Sequence, residues 1–516
     1  MVSAATALGL TAATLAAFAA LGVRYARGRV GGVEDFIAAR DSAGLGATTA
    51  TLVASVMGVW ILLAPAEAGA AFGGVSAVLG YAVGEALPML AYARLGPRIR
   101  ELIPEGHSLT EYALARYGPV MYAFVLCVSV FYMFVFLAAE LTGIASAFHL
   151  IAGVPRWQTA VLVGGFVLAY TAYGGLRASI FTDTVQAAVI LPLLAATAVG
   201  AVLALGGTGV VYERVVAADP TLVDPTFLDG LRFGVWVAIA ILGAELLNQT
   251  WWQRVYAAED AATLRRAFPT AAVVNFVVVL LAGLFGVVAR GYVDLVVDPT
   301  SPEYNASVGF FLLLLEAFPE ALVLAVTLLA LLLVASTADT LFNALASVVT
   351  ADLPRLLDEP SDRTLTFAAR GLTVVVAVAA VLVSLRARSV LRLFLLADLL
   401  GAALMVPLLA GLYSPRASEP GVVAGGLLGA GVGLAFYPAP VVRGPLSAVP
   451  LLGDALPAGS FLVAFVGAAG VSAATTLLAA LVAPGRFDLD RLATAIRRLD
   501  DPGTGAGART DGGGDD

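Results

Sequence analysis

Lysine is absent from this chain: all 29 basic residues among its 516 are arginine. Charge of either sign is scarce, at 13% of residues, against 60% hydrophobic residues and a mean hydropathy of +0.93. A soluble chain of this length needs far more polar side chains to cover its surface. The single cysteine, Cys127, sits in an apolar run, which excludes an intrachain disulfide and a cysteine-based metal cluster. The two histidines, His107 and His149, lie near no cysteine or paired carboxylate at metal-ligand spacing. Nucleic-acid binding is excluded by the net charge of -8 and the lack of any basic block. No nucleophile–base pair or phosphate loop points to an enzyme. The acidic, lysine-free composition suits a GC-rich, prokaryotic and salt-adapted source.

What the chain has instead is apolar length. A membrane helix needs roughly 20 apolar residues. Such spans fall near 2–23, 45–70, 73–96, 119–147, 156–174, 178–205, 231–252, 268–290, 320–351, 366–386, 390–412, 420–440 and 457–483. The expectation is an all-α polytopic membrane protein with about 13 transmembrane helices in the cell membrane. Glycine (54) and proline (25) are tolerated in membrane helices, where neighbouring helices re-satisfy freed backbone groups. Segment 307–318 is too short to span and is expected to cap the outer face. No positive region precedes residues 2–23; Arg24, Arg27 and Arg29 follow them, as in an uncleaved helix with its N-terminus outside. That orientation puts 21 arginines on inside loops and tail and 8 outside, with three at 386–392 as the poor fit. The C-terminus is then cytoplasmic. After Arg486 a short amphipathic stretch, DLDRLATAIRRL, leads into a Gly- and Asp-rich acidic tail expected to be disordered.

Polar residues inside the spans carry the chemistry. Span two holds Gly58, Pro65 and Glu67 among small residues, a composition suited to a helix broken near the midplane, where freed carbonyls hold a cation. A Pro-kinked packing helix accounts for it equally well. In span nine, Ser336 and Thr337 are adjacent hydroxyls with Asp339 in the same turn. Back-bonding to the preceding turn explains the hydroxyls but not the carboxylate, and an intramembrane carboxylate is a functional candidate.

Four segments are more specific: GGLRASIFTDTVQ at 174–186, with a tight turn at Gly174–Gly175; NQTWWQRVYAAED at 248–260; the Ser336–Thr337 pair; and FLLADLLGAALMVPLLAGL around Asp398. In this order they resemble the signature segments of the sodium:solute symporter family. The resemblance implies a 5+5 inverted-repeat (LeuT-like) core. Residues 1–44 are an extra N-terminal helix and loop, 45–412 the core (45–205 repeat one, 231–412 repeat two), 413–484 two additional helices and 485–516 the tail. It implies sodium as coupling ion, held by the carbonyls of Ala54, Met57 and Leu333 and the hydroxyls of Ser336 and Thr337. Asp183 and Asp339 lie in the second shell or ion path, and a second sodium site near Asp339 and Thr340 is left open. Val56 stands where the proline branch has Asp and the sugar branch has Asn, which supports neither solute. MGVWILLAPAEAG, IPEGHSLTEYALARYGP and FLAAELTGI look more like the fungal urea and polyamine members. The solute, whether urea, polyamine, amino acid or similar, is expected beside the break of span two, facing span seven. Candidate contacts are Trp60, Glu67, Glu140, Glu245, Asn248 and Trp251, and acids in an apolar pocket favour a cationic solute. A proton-coupled symporter on Asp183 or Asp339, and a transport-inactive sensor or channel, are the competing readings.

Overall fold

The computed structural model describes residues 3–26, 38–55, 57–356, 362–448 and 456–498. Val56, Arg27, Arg29 and the acidic end of the tail lie outside them. In chain order the helices are α1 (Ala4–Ala26), α2 (Leu45–Ala54), α3 (Trp60–Ala71), α4 (Gly74–Leu102), α5 (Leu109–Arg116), α6 (Pro119–Ala152), α7 (Arg156–Ala204) and α8 (Thr208–Ala218). Then follow α9 (Leu228–Leu246), α10 (Gln249–Ala257), α11 (Ala261–Tyr292), α12 (Gly309–Ala317), α13 (Glu320–Leu356), α14 (Asp362–Ser384) and α15 (Val390–Leu409). The last are α16 (Glu419–Phe436), α17 (Pro440–Ser447), α18 (Phe461–Val482) and the five-residue α19 (Arg491–Ala495). Among the described residues no strand forms, only an isolated bridge between Ala43 and Ala258. Helices close every backbone hydrogen bond within one segment, which a lipid solvent demands.

Ten described helices are individually long and apolar enough to cross a membrane, and the bent pair α9–α10 makes eleven. Two expected spans fall outside that count for physical reasons. Span two is broken into α2 and α3, each too short alone. Spans five and six are one helical stretch, α7, of 49 residues, which runs through Gly174–Gly175 where a turn was expected. A straight helix of that length reaches roughly 74 Å, far beyond a bilayer. Its ends nevertheless meet one side of the bundle. Arg156 donates to the carbonyls of Ser384 and Ala387, while Tyr292 donates to Leu205; Leu176, in the middle, packs with Ala39 and Ala257. Tyr292 precedes a loop that reaches Ser389 through Ser307 and Arg388. The stretch therefore crosses twice.

Close crossings fix the centre of the bundle. A Cβ on Gly243 of α9 would lie 2.3 Å from Ala402 N of α15, so these backbones touch only because the residue is glycine. Both α2–α3 and α9–α10, the first helices of the two expected repeats, are broken, and the second pair bends by 56°.

Candidate ion and solute sites

The break in span two is held from one side by a carboxylate. Glu140 of α6 accepts hydrogen bonds from Val59 N (2.8 Å) and Trp60 N (3.3 Å), the exposed donors at the start of α3. Gly58 is required there, because a Cβ would fall 2.0 Å from a Glu140 oxygen. Glu140, expected among the solute contacts, thus caps a helix and is not among the residues lining the central cavity described below.

On the other side of the break lies a network centred on Asp183 of α7, which is fully buried. Its carboxylate accepts from Thr51 of α2 (2.7 Å), from Ser336 of α13, and from Arg254 of α10 (3.3 Å). Arg254, also fully buried, donates to Thr340 as well (3.1 Å). Gln186, one turn beyond Asp183, donates to the carbonyl of Leu332 (2.9 Å). Of the five expected sodium ligands, Met57 and Leu333 line one apolar gap together. The Ala54 carbonyl accepts from Met57 N (3.2 Å). Ser336 binds Asp183, and the buried Thr337 hydroxyl has no hydrogen-bond partner among the described residues. The buried Ser55 hydroxyl, inside the break, is likewise without one. Asp339 of α13 accepts from Asn343 (3.4 Å). Thr51, Ser55 and Arg254 were not singled out from sequence. Arg254 lies in the NQTWWQR segment, so an arginine within a membrane helix was the available signal.

The remaining expected solute contacts separate. Trp60 and Glu245 line a central cavity between α3, α4, α6, α9 and α15. Glu67 does not: it accepts from Tyr304, and from Ser389 (2.7 and 2.8 Å), tying α3 to the 293–305 loop and the start of α15. Asn248 caps α10, accepting from Thr250 N (3.0 Å), and donates to Glu245 (3.1 Å). Trp251 packs on Tyr92 and Phe268, away from the cavity. Of the other cavity acids, Glu85 was missed from sequence and Asp398 was noted only as part of a family segment, although an acid inside an apolar span was again the visible signal. Aromatic walls come from Tyr81, Tyr132, Phe136 and Phe394. The cavity is narrow, with about 20 Å³ of open volume, room for a water.

A far wider vestibule of about 710 Å³ opens at the end of the bundle carrying Gly73. Phe72, Phe233, Trp236 and Phe461 form its aromatic floor, and Asp219 and Asp229 stand at its edge with Arg232 and Arg290. Hydrogen bonds from Thr221 hold the Asp219 carboxyl below the usual carboxylate range. The Phe233 ring of the vestibule floor stacks 6.4 Å from Tyr81 of the cavity wall.

Known proteins bear on this geometry in three ways. A spermidine transporter of Candida albicans is 28% identical over 367 residues, which cover 70% of this chain and 66% of the relative. A urea active transporter of Saccharomyces cerevisiae is 25% identical over 45% of this chain and 33% of its own. The chain thus spans between about a third and two thirds of the length of these two relatives. A solved Na+-coupled sialic acid symporter in a substrate-bound outward-open state shares the fold, with a TM-score of 0.74 at 17% identity over 93% of this chain and 99% of that one. The family model for the sodium:solute symporter family matches residues 36–429, and the chain belongs to that family.

Proposed function

We propose that this protein is a sodium-coupled symporter that carries a small organic solute into the cell by alternating access. The observation that carries the reading is the buried Thr337 hydroxyl, without a partner, one residue from Ser336 and its bond to Asp183. A buried hydroxyl costs free energy unless something accepts or donates to it, and a desolvated cation seeks such an oxygen. Sodium is assigned to the carbonyls of Ala54, Met57 and Leu333 with the hydroxyls of Ser336 and Thr337. Ser55 is a further oxygen at the break. Asp183 orients Ser336 and holds negative charge behind the ion; its ion pair with Arg254 speaks against its serving as the free acceptor of a proton-coupled mechanism. Residues 45–205 and 231–412 are taken as the two repeats that rock about the central cavity. With the N-terminus outside and the C-terminus cytoplasmic, the vestibule faces outward and the Arg-rich loops face inward. The names of the relatives bring urea and spermidine into range as solutes.

Reconstitution into liposomes tests the coupling. An inward sodium gradient at fixed pH is expected to drive solute accumulation, and Ser336→Ala and Thr337→Ala to raise the sodium concentration for half-maximal uptake. Uptake indifferent to sodium removal refutes the proposal; an unchanged sodium dependence in both variants refutes the site.

A further inference from the structure

Beside the break between α2 and α3, one nitrogen of Arg254 ties α10 to two other helices. Nη2 donates to Asp183 Oδ2 of α7 (3.3 Å) and to Thr340 Oγ1 of α13 (3.1 Å). Nε reaches Thr51 Oγ1 of α2 (3.4 Å), and Nη1 reaches the carbonyl of Thr250 within α10 (3.4 Å). Thr340 also shares a hydrogen bond with Ser179 of α7 (3.1 Å). Arg254, Asp183, Thr340 and Ser179 are each at most 1% exposed. The sequence leaves open a second sodium site near Asp339 and Thr340. In the structure a guanidinium stands there. The Asp183 and Thr340 oxygens that a second ion would bridge are the two that Arg254 Nη2 already bridges.

Charge decides what else can enter. Arginine keeps its proton in proteins, so Arg254 is a permanent cation. The carboxylates whose charge it meets are Asp183 and Asp339, the latter 5% exposed and one residue from Thr340. Two carboxylates against one guanidinium leave a single negative charge. One sodium ion beside Ser336 and Thr337 cancels it. A second would add an uncompensated positive charge among buried groups, against the same oxygens the guanidinium uses. Unpaired charge is costly inside a membrane bundle, and like charges repel strongly where the dielectric is low. The carboxylate of Asp183 is divided accordingly. Its Oδ1 accepts from Ser336, on the side of the proposed ion, and its Oδ2 accepts from Arg254 and Thr51.

Resting on the symport reading above, we propose that Arg254 is a built-in counter-cation that fills the second cation position, so that each transport cycle carries one sodium ion. Equilibrium binding of radioactive sodium to the purified protein, with choline as balancing salt, counts ions without a known solute. The unmodified protein is expected to bind about one sodium per chain, with a Hill coefficient near one. Arg254→Ala removes the guanidinium and leaves the oxygens. It is expected to bind about two per chain, and adding Asp183→Asn should remove the second. Thr340→Val spares the guanidinium, and its half-saturating sodium concentration should stay within about threefold of the original. If Arg254→Ala does not purify as a monodisperse species, the ion count of the unmodified protein and the Thr340→Val titration decide.

Two sodium ions in the unmodified protein, or a larger loss of sodium affinity in Thr340→Val, overturn the inference and leave the symport reading standing. A folded Arg254→Ala that still binds a single ion does the same. If no saturable sodium binding is found at all, the symport reading falls and takes this inference with it.

Discussion

Replacing Thr337 by valine separates an ion ligand from a structural hydroxyl, because the two roles predict opposite signs. Valine keeps the shape and removes the oxygen. The hydroxyl is 1% exposed and unpartnered. Without sodium its loss therefore breaks no protein hydrogen bond, and removing an unsatisfied buried group is neutral or stabilising by up to about 1–3 kcal/mol. With sodium the variant loses one coordinating oxygen. A bond to a charged group is worth roughly 1.5–3 kcal/mol, which weakens the ion's dissociation constant by about 10- to 150-fold. At a sodium concentration one hundred times the original constant, linkage supplies about 2.7 kcal/mol of stabilisation. A thirtyfold weaker site retains roughly 0.9 kcal/mol at that concentration. The assay is an apparent melting temperature in detergent, with sodium titrated against choline at constant ionic strength and scan rate. Thr337→Val should melt at or above the parent in choline and show about a third of the parent's sodium-induced shift. Equal destabilisation in both salts, with the sodium shift intact, refutes the assignment.

Asp183→Asn removes the countercharge from Arg254, both side chains being fully buried. Breaking such a pair from one side costs about 3–5 kcal/mol, read as a lower melting temperature, and the added substitution Arg254→Gln should restore part of it. A loss under about 1 kcal/mol shows that the pair holds nothing together. Glu67→Gln weakens the tie from α3 to Tyr304 and Ser389 and should favour opening toward the vestibule. A cysteine placed at the cavity residue Val237, in a Cys127→Ser background, is then expected to react with an impermeant maleimide about threefold faster or more. Equal rates refute a latch.

The spans were legible in the sequence because lipid imposes one rule on every backbone group and so one length on every apolar run. The 49-residue α7 departs from that reading only in its assignment. The chain still crosses twice, so its direction reverses near Gly174–Gly175 even though helical hydrogen bonding runs on through them. Buried polar residues were legible as important and illegible as to role. Glu67, Glu140 and Glu245 look alike in sequence, each a lone acid in an apolar segment. The structure makes one a tie between loops, one a helix cap and one a cavity wall. What differs is which helix ends or hydroxyls face them, and that depends on contacts between segments far apart in the chain: Glu67 meets Ser389 across 322 residues and Tyr132 meets Glu245 across 113. Glu85 was passed over, and Asp398 was given no site role, for the same reason, since nothing local distinguishes an acid facing a cavity from one facing a partner.

The proposed sodium site and the central cavity are joined by a very short piece of chain. Met57, assigned above to the sodium site, stands three residues from Trp60, a wall of the central cavity. The break between α2 and α3 is anchored by Glu140 at its end nearest Trp60, through Val59 N and Trp60 N, where a Cβ on Gly58 would meet the carboxylate. Its opposite end holds the Ala54 and Met57 carbonyls proposed as ligands and the Ser55 hydroxyl, which has no partner among the described residues and which an ion can order. Ordering that end fixes where α3 begins, and so where the Trp60 ring sits against Tyr81, Phe136 and Phe394. Sodium then raises solute affinity by removing the cost of arranging the cage, without touching the solute. Linkage makes the effect reciprocal: the solute must lower the sodium concentration for half-saturation by the same factor that sodium lowers that for the solute, about 5- to 150-fold for couplings of ordinary size. A cage already rigid without the ion has no such factor. Coupling by this route therefore requires that the break be the soft element, and the carboxylate cap on one side with an ion-filled gap on the other is the arrangement that makes it so.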